Sequence, residues 1–400
     1  MSEASSTVVI TGIGVASPYG LGLELLEAGL LASQCRLRPL AGFSPGFACT
    51  VAEYPGDLPD ARAWGRRLSR SDRLAMAAAR DAVGAVGADA VRECGVVMAT
   101  TVAGLSELRP QLVADPAAWY RAGGLERAAT YPVASVAEAV GDAVGARGPR
   151  CAVNVACASG AMAIALAARM CLEGAAPAML AGGSDALCPF TLSGFHALQA
   201  LDPEPCRPFD AERRGLNIGE GAAVLRLETL ERARARRAPV LAVLRGWAMN
   251  NDGYHITAPH ERGCGLAACM VEAMRASGVD PDEIGYVNAH GTGTPLNDVA
   301  ESRAYAAAFS GRGRPVPVSS TKSHFGHCLG AAGALEAAVT AIAIRRGALF
   351  PTLRLSDPLE CPQVDWLMGG VRRQALAAAM SVSAGFGGSN AALVLGAYLA

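Results

Sequence analysis

The sequence predicts an α/β fold, because apolar, β-branched runs alternate with alanine-rich and leucine-rich runs along most of its 400 residues. A second observation is a weak internal repeat. Segments 151–180 and 316–349 share one order, namely strand, turn of small residues, alanine-rich helix and strand. The alternation is typical of buried and largely parallel strands. The repeat predicts a chain of two similar halves, covering 1–245 and 246–400.

The individual elements are predicted from local composition. The predicted strands are apolar and rich in valine and isoleucine, and they cover 7–15, 95–100, 152–155, 176–181, 240–248, 284–288, 316–319 and 379–384. The predicted helices are rich in alanine and leucine, and they cover 21–31, 158–172, 264–277, 298–309 and 330–345. Two long irregular stretches, 203–221 and 250–265, separate these elements, and long loops are often functional.

Composition excludes several classes of function. The chain is 51% hydrophobic and has 35 basic against 36 acidic residues, so it lacks the excess of positive charge typical of nucleic-acid binding. Its apolar runs are broken before they reach the length of a membrane span. We see no secretory signal and expect a cytoplasmic protein. Its twelve cysteines are scattered without a C-x-x-C pair, which argues against a metal site.

Cys157 stands out among these cysteines. In "NVACASG" it lies between a predicted strand and the first turn of a predicted helix, where the helix dipole favours a thiolate. Its small neighbours leave room for an acyl chain to approach the sulfur. This arrangement is typical of a nucleophile held at a sharp turn. The alternative is pure packing at a tight contact between helices.

Two histidines favour the catalytic interpretation. His290 in "NAHGTGTPLND" and His327 in "SSTKSHFGHCLGAAG" follow apolar strands and have small neighbours, so we expect both to face a cavity. Neutral imidazoles there can donate N–H groups to a developing oxyanion or enolate. His324 is the weaker candidate of the nearby pair, because His327 lies beside the helix N-terminus.

Several polar or glycine-rich segments accompany the histidines. Thr292 and Thr294 alternate with glycines, so both hydroxyls could bind an amide-rich arm or simply form a polar turn. Lys322 lies among apolar residues and needs an acidic partner. In "SAGFGGSNAA", Phe386 is flanked by glycines and could act as a gate. By contrast, "TGIGVASP" lacks the third glycine of a dinucleotide fingerprint, so we expect no nucleotide cofactor.

Five ordered motifs together resemble the β-ketoacyl-acyl-carrier-protein synthases of the elongating, Cys-His-His class. The motifs are "VACASG", "AHGTGTPLND", "STKSHFGHCLGAAGALE", "GFGGSNAA" and the opening "VVITGIGVASPYG", and they cover essentially the whole chain. The resemblance implies the thiolase-like αβαβα double core. It also implies decarboxylative condensation of malonyl-acyl-carrier protein with an acyl chain held as a thioester on Cys157. Cys157 and His327 distinguish this chain from the chain-length factors and from the initiating synthases.

The resemblance also implies roles for single residues. The implied catalytic set is Cys157, His290, His327, Lys322, Glu336 and Phe386. The implied substrate-binding set is Thr292, Thr294, Asp252, Gly387 and Gly388, with Asp298, Glu301 and Asn390 in support. The backbone N–H groups of Cys157 and Phe386 would form the oxyanion hole, and residues 250–259 would form a second gating loop. No metal or organic cofactor is implied, since phosphopantetheine arrives on the carrier protein.

The implied partners are an acidic acyl carrier protein and a second synthase-like subunit, in a homodimer or a heterodimer. Candidate arginines for the carrier protein are Arg66, Arg67, Arg70, Arg207, Arg213 and Arg214. The short segment "GFHALQALDPEPCRPFDAERRGLNIGEGAA" looks closer to synthases of aryl-polyene or type II polyketide pathways than to those of housekeeping fatty-acid synthesis. Two further hypotheses stay open, namely a subunit that mainly shapes a partner's acyl tunnel and a degradative thiolase that uses CoA.

Overall fold

A sheet of twelve strands passes through the middle of the computed structural model, which describes residues 6–41, 45–84, 86–107, 115–121 and 123–399. In chain order the strands are β1 (Val8–Ser17), β2 (Gly20–Leu21), β3 (Arg38–Pro39), β4 (Thr50–Ala52), β5 (Arg62–Ala63), β6 (Arg66–Arg67), β7 (Gly95–Ala99), β8 (Arg150–Val153), β9 (Ala178–Asp185), β10 (Ile218–Gly219), β11 (Gly221–Thr229), β12 (Ala242–Asn251), β13 (Ile284–Asn288), β14 (Val316–Ser319), β15 (Ala348–Leu349), β16 (Val364–Trp366), β17 (Arg372–Arg373), β18 (Ala378–Gly385) and β19 (Ser389–Gly396).

The helices pack on both faces of this sheet. In chain order they are α1 (Leu23–Leu31), α2 (Arg70–Val83), α3 (Ala88–Arg92), α4 (Pro116–Arg121), α5 (Gly124–Ala128), α6 (Ala134–Val144), α7 (Ser159–Leu172), α8 (Pro189–Ala197), α9 (Leu230–Ala235), α10 (Cys264–Ser277), α11 (Pro295–Ala308), α12 (Lys322–Phe325) and α13 (Ala332–Arg346). Short 3-10 turns cover Ala103–Glu107, Pro281–Glu283, Leu329–Ala331 and Phe386–Gly388.

The strand order shows two similar halves. Along the large sheet it runs β16-β14-β13-β18-β19-β12-β1-β11-β9-β7-β8, with β2 beside β1. The order β12-β19-β18-β13-β14 on one side therefore mirrors β1-β11-β9-β7-β8 on the other. Helices α7 and α13 pack against each other and contact strands of both halves, whereas α2 with α6 and α10 with α11 cover the outer faces. The two halves of the sheet therefore lie on opposite sides of α7 and α13. The five layers are α2 with α6, one half of the sheet, α7 with α13, the other half of the sheet, and α10 with α11, which confirms the predicted αβαβα double core.

The prediction of largely parallel strands is wrong at the centre of the sheet. The outer strands β7, β8 and β9 are parallel, as are β13, β14, β16 and β18. The central strands β9, β11, β1, β12, β19 and β18 pair antiparallel. Four of these five antiparallel pairings involve β11 or β19, which the composition did not predict, and the fifth joins β1 to β12. Strand β11 pairs antiparallel with β9, and β19 pairs antiparallel with β18, where β9 and β18 are the last strands of the two crossover units.

Small residues allow close packing in the core. A methyl group added at Gly12 or Gly14 of β1 would lie 2.2 Å from the carbonyl oxygen of Ala82 or 1.9 Å from that of Ala78, both in α2. These glycines therefore bring the helix against the strand, and their "TGIG" pattern has a packing role. Arg245, the last residue of the predicted N-terminal half, lies inside β12. Within the described ranges, no helix is long and apolar enough to cross a membrane.

Candidate active site

Cys157 lies in the turn between β8 and α7 and is 7% exposed. The residue before it, Ala156, has a positive φ of 52°. Ser159, the first residue of α7, accepts a hydrogen bond from the Val155 N–H at 2.8 Å, which fixes the turn. The side chain of Cys157 is one of those that line a cavity of about 330 Å³. The turn therefore holds the thiol at the wall of a pocket.

The backbone around Cys157 has the form of an oxyanion hole. The Phe386 N–H donates to the Cys157 sulfur. A methyl group added at Gly385 would lie 3.1 Å from the Cys157 nitrogen and 3.1 Å from the Ala158 nitrogen. The glycine therefore leaves space beside these amides. An oxygen placed there would lie beside backbone nitrogens of two segments of the chain, those of Cys157 and Phe386.

His290 and His327 face each other beside the thiol, with ring centroids 5.3 Å apart and planes at 87°. The Leu329 N–H donates to His327 Nδ1 at 3.3 Å, and Lys322 Nζ lies 3.4 Å from His290 Nδ1. Because both Nδ1 atoms act as acceptors, we assign the proton of each neutral ring to Nε2. Burial and the charge of Lys322 hold the pKa of both rings well below its usual value. The neutral rings of His290 and His327, which line the cavity, therefore each carry an Nε2–H donor.

Lys322 is the only lysine in the chain and is 1% exposed. Its ammonium group donates to the carboxylate of Glu336 and to the backbone oxygen of His290. Burial raises the pKa of Glu336 to about 7, while the charge of Lys322 opposes that increase. The pair links α12 to α13 below the histidines. It does not line the cavity, so its influence on the reaction is electrostatic.

Two further carboxylates hold the loop that follows β13. Glu301 accepts from the backbone N–H groups of His290 at 2.8 Å and Gly291 at 2.7 Å, and from the hydroxyl of Tyr305. Asp298 accepts from the Gly293 N–H at 3.2 Å. Both carboxylates are buried and have no contact with the cavity. They position the loop that carries His290.

Two loops meet at the mouth of the cavity. Asn390 Nδ2 donates to Asp252 Oδ1 at 2.7 Å, and the Asp252 N–H donates to the Gly388 oxygen at 2.8 Å. The Gly387 N–H donates to the Ile256 oxygen, also at 2.8 Å. Residues 250–256 and 387–390 are therefore hydrogen-bonded to each other. The first of these segments lies in the predicted second gating loop, residues 250–259.

The structure brings most of the predicted site residues together. Those that line the cavity are Cys157, Asp252, His290, Thr292, Thr294, His327, Phe386, Gly388 and Asn390. The hydroxyls of Thr292 and Thr294 lie 2.9 Å apart and share one side of the cavity. Lys322, Glu336, Asp298, Glu301 and Gly387 lie outside the lining. His324 is fully buried and bonds to the Pro351 oxygen at 2.8 Å, away from the cavity.

Burial works against the thiolate that the helix terminus is expected to favour at Cys157. Burial raises the pKa of this thiol to about 12, and the charge of Lys322 lowers it only in part. The thiol precedes Ser159, the first helical residue, by two positions. Removal from water therefore outweighs the favourable helix terminus.

Most of the arginines predicted to meet a carrier protein are engaged within the chain. Arg66, Arg67 and Arg70 form ion pairs with Asp142, Glu107 and Glu220, respectively. Arg213 and Arg214 lie within 3.8 and 3.3 Å of Asp298 and Asp202, respectively. Arg207 has no such pair within the described ranges, and its buried Nε lacks a partner there. Pairing reduces the net charge that five of these six arginines present to an acidic partner.

Sequence reasoning missed three residues that shape the site. Phe195 of α8 stacks on Phe386 with centroids 5.5 Å apart, and Asn217 accepts the His327 N–H through its backbone oxygen at 2.8 Å. Asp185 binds the segment that follows His327. Nothing in the local pattern around these three predicts a role. Lys322, in contrast, could have been singled out by a residue count, because it is the only lysine in the sequence.

The comparisons with known proteins agree with this geometry. A model described as the beta-ketoacyl synthase N-terminal domain matches residues 5–233, and its C-terminal counterpart matches residues 241–356. The chain belongs to the β-ketoacyl synthase family. It is therefore a condensing enzyme of the acyltransferase type, as the ordered motifs predicted.

Relatives of this synthase come from two kinds of metabolism. The 3-oxoacyl-[acyl-carrier-protein] synthase 2 of Synechocystis sp. is 34% identical over 417 residues, covering 98% of each chain. An actinorhodin polyketide beta-ketoacyl synthase of Streptomyces coelicolor is 37% identical, covering 97% of this chain and 88% of its own. Among solved structures, the ishigamide ketosynthase/chain length factor has a TM-score of 0.89 at 30% identity, covering 98% of this chain and 99% of its own.

Proposed function

We propose that this synthase condenses malonyl-acyl-carrier protein with an acyl chain held on Cys157, giving a β-ketoacyl-carrier protein two carbons longer. The observation that carries the proposal is the convergence of one thiol, two neutral imidazoles and an amide-lined space on a single cavity. The acyl chain arrives as a carrier-protein thioester, and the Cys157 sulfur attacks its carbonyl carbon. In net terms, the thiol proton passes to the pantetheine sulfur that leaves.

The oxyanion hole serves both half-reactions. In each, the thioester carbonyl carbon is attacked and its oxygen gains negative charge. The N–H groups of Cys157 and Phe386 stabilise that oxygen at the space that Gly385 leaves open. Donors of this kind, fixed before the reaction begins, typically contribute about 10²–10³-fold each to the rate. This role explains why a glycine precedes Phe386.

The two histidines act on the malonyl group. Its carboxylate leaves as CO2, and the bonding electrons become an enolate at the thioester. The Nε2–H groups of His290 and His327 donate to the enolate oxygen, since both rings are neutral and protonated at that atom. The enolate carbon then attacks the acyl carbonyl, and the Cys157 sulfur leaves as a thiolate that takes up one proton from solvent to restore the thiol. Lys322 holds His290 in place and supplies positive charge to the site without reacting.

Loss of CO2 supplies the driving force, so we propose that the reaction requires neither a metal ion nor an organic cofactor. The phosphopantetheine arm of the carrier protein would enter past Thr292 and Thr294, whose hydroxyls can bond to its amides. The stack of Phe195 on Phe386 would separate this entrance from the space for the acyl chain. The loop around Asp252 would move with that gate.

The proposed partners are an acyl carrier protein and a second synthase-like subunit, with action in the cytoplasm. Solved relatives include a ketosynthase of Xenorhabdus doucetiae in complex with its chain length factor, at 28% identity, a TM-score of 0.85 and full coverage of both chains. Another is a type II polyketide ketosynthase with its acyl-carrier protein, at 26% identity and a TM-score of 0.83. A specialised polyene or polyketide pathway is therefore a second candidate beside fatty-acid synthesis, and both homodimer and heterodimer remain open.

Chain-extension assays test the proposal. The wild-type protein, alone and with a co-purified partner, is incubated with malonyl-carrier protein and either saturated or polyenoyl carrier-protein thioesters. We expect a product two carbons longer with one of these panels, and no product from Cys157→Ala. Extension by the Cys157→Ala variant would contradict the assignment. Activity with CoA thioesters alone would instead favour a thiolase.

A further inference from the structure

The pseudo-twofold symmetry relates the Cys157 turn to a second turn in the other half. Helices α7 and α13 cross at small residues. A methyl group added at Gly160 would lie 2.8 Å from the Ala334 nitrogen, and one added at Gly333 would lie 2.6 Å from the Ala161 nitrogen. These reciprocal contacts match α7 to α13 residue by residue. They pair position 160 with 333 and position 161 with 334.

The same relation pairs Cys157 with Gly330. The residues immediately before them, Ala156 and Leu329, have nearly identical positive φ angles of 52° and 51°. Positive φ is uncommon outside glycine, so its recurrence at matched positions shows that both turns have one conformation. The second half thus contains a counterpart of the nucleophile turn, with glycine in place of the cysteine.

The two turns differ in what lies beside the backbone amides of Cys157 and Gly330. Strands β9 and β18 both have eight residues and end at Asp185 and Gly385. Gly385 leaves open space beside the Cys157 nitrogen. At the matched place, Asp185 Oδ2 accepts the Gly330 N–H at 2.7 Å. In one half, therefore, a glycine leaves room beside the amide for an incoming oxyanion, whereas in the other half a carboxylate of the chain binds the amide.

Asp185 is fully buried and gathers donors from two segments. Besides the Gly330 N–H, it accepts from the Thr100 hydroxyl at 2.6 Å and the Val102 N–H at 3.0 Å. The N–H and hydroxyl of Thr101 bond to it at 3.0 and 2.7 Å. This carboxylate therefore joins the end of β7 to the segment that begins three residues before Gly330, at His327.

We propose that Asp185 is a positioning residue that fixes the segment carrying His327 through the Gly330 N–H. Within the described ranges, Asp185 makes no hydrogen bond to His327 itself, so it acts through the turn between His327 and Gly330. The proposal rests on the proposed function, because the role of His327 is in condensation.

Thr101→Val tests the positioning role. The substitution preserves the Asp185 side chain and the shape of residue 101 but removes one hydrogen bond to the carboxylate. We expect condensation kcat to fall by about threefold or more, with KM for malonyl-carrier protein within about twofold and the rate of Cys157 alkylation by iodoacetamide unchanged. An unchanged kcat in the variant, beside an active wild-type protein, would overturn the positioning role alone. If the wild-type protein extends no chain, the proposed function fails first.

Discussion

Replacing Gly385 with alanine would place a methyl group 3.1 Å from the backbone nitrogens of both Cys157 and Ala158. The backbone at Gly385 is extended, with φ −135° and ψ 156°, so alanine adopts it without strain. The perturbation is therefore local. The methyl group either occupies the space for the thioester oxygen or displaces the Cys157 amide by a few tenths of an ångström.

The size of the effect follows from the lost hydrogen bond. Complete removal of one oxyanion donor costs about 10²–10³-fold, or roughly 2.7–4 kcal/mol. The Gly385→Ala substitution crowds the Cys157 donor without deleting it. We therefore expect acyl transfer to slow by about tenfold to a hundredfold. Alkylation by iodoacetamide passes through no oxyanion, so its rate at Cys157 should stay within about twofold.

Two assays separate these steps. Intact-protein mass spectrometry follows acyl transfer from acyl-carrier protein, and the same method follows alkylation. Gly194→Ala is a matched control, because a methyl group there would meet no atom within 4 Å on the outside of α8. An equal loss of both rates would show a general distortion of the thiol, and an unchanged rate of acyl transfer would refute the oxyanion hole.

Three further predictions follow from the buried charges and rings. Lys322→Met should lower the free energy of unfolding by about 3–5 kcal/mol, because the buried carboxylate of Glu336 loses the positive charge that pairs with it. The loss should be larger at pH 8 than at pH 6, since burial raises the pKa of Glu336 and a rise in pH ionises it. Denaturant titrations at both pH values measure it, and equal losses would contradict the account. Phe195→Ala removes the ring stacked on Phe386, worth about 0.5–1.5 kcal/mol, so a bulky thiol reagent should reach the nucleophile several-fold faster. Because the pKa values of His290 and His327 lie well below 6.5, neither ring should take up a proton between pH 8 and pH 6.5 in an NMR titration, and protonation of either ring inside that range would contradict the account.

The repeated units of the fold could be predicted because their strands and helices differ sharply in composition. The predicted helix over 264–277 and the predicted strands over 284–288 and 316–319 have the bounds that the structure shows. The central antiparallel strands could not be predicted. Strand β11, "GAAVLRLET", contains a buried arginine and small residues that weaken its strand pattern. Its direction depends on contacts with β1 and β9, which no local pattern records.

The residues that line the site could be predicted where chemistry demands an unusual residue in an apolar setting. Cys157, His290 and His327 were found in this way, and they meet at one cavity. The helix terminus beside Cys157 could be predicted, but the burial that raises the pKa of its thiol could not, because sequence does not show how deep a residue lies. Asp185 could not be predicted, since its donors come from segments 84 and 145 residues away in the chain.

A single-turnover experiment tests the identity of the nucleophile most directly. The protein is loaded from acyl-carrier protein, freed of donor, and mixed with malonyl-carrier protein while peptide mapping follows every cysteine. We predict that the acyl group resides on Cys157 and then leaves as a β-ketoacyl-carrier protein two carbons longer, with release of CO2 and a free thiol. An acyl group on another cysteine, or one that stays on Cys157 while malonyl-carrier protein is consumed, would contradict the account.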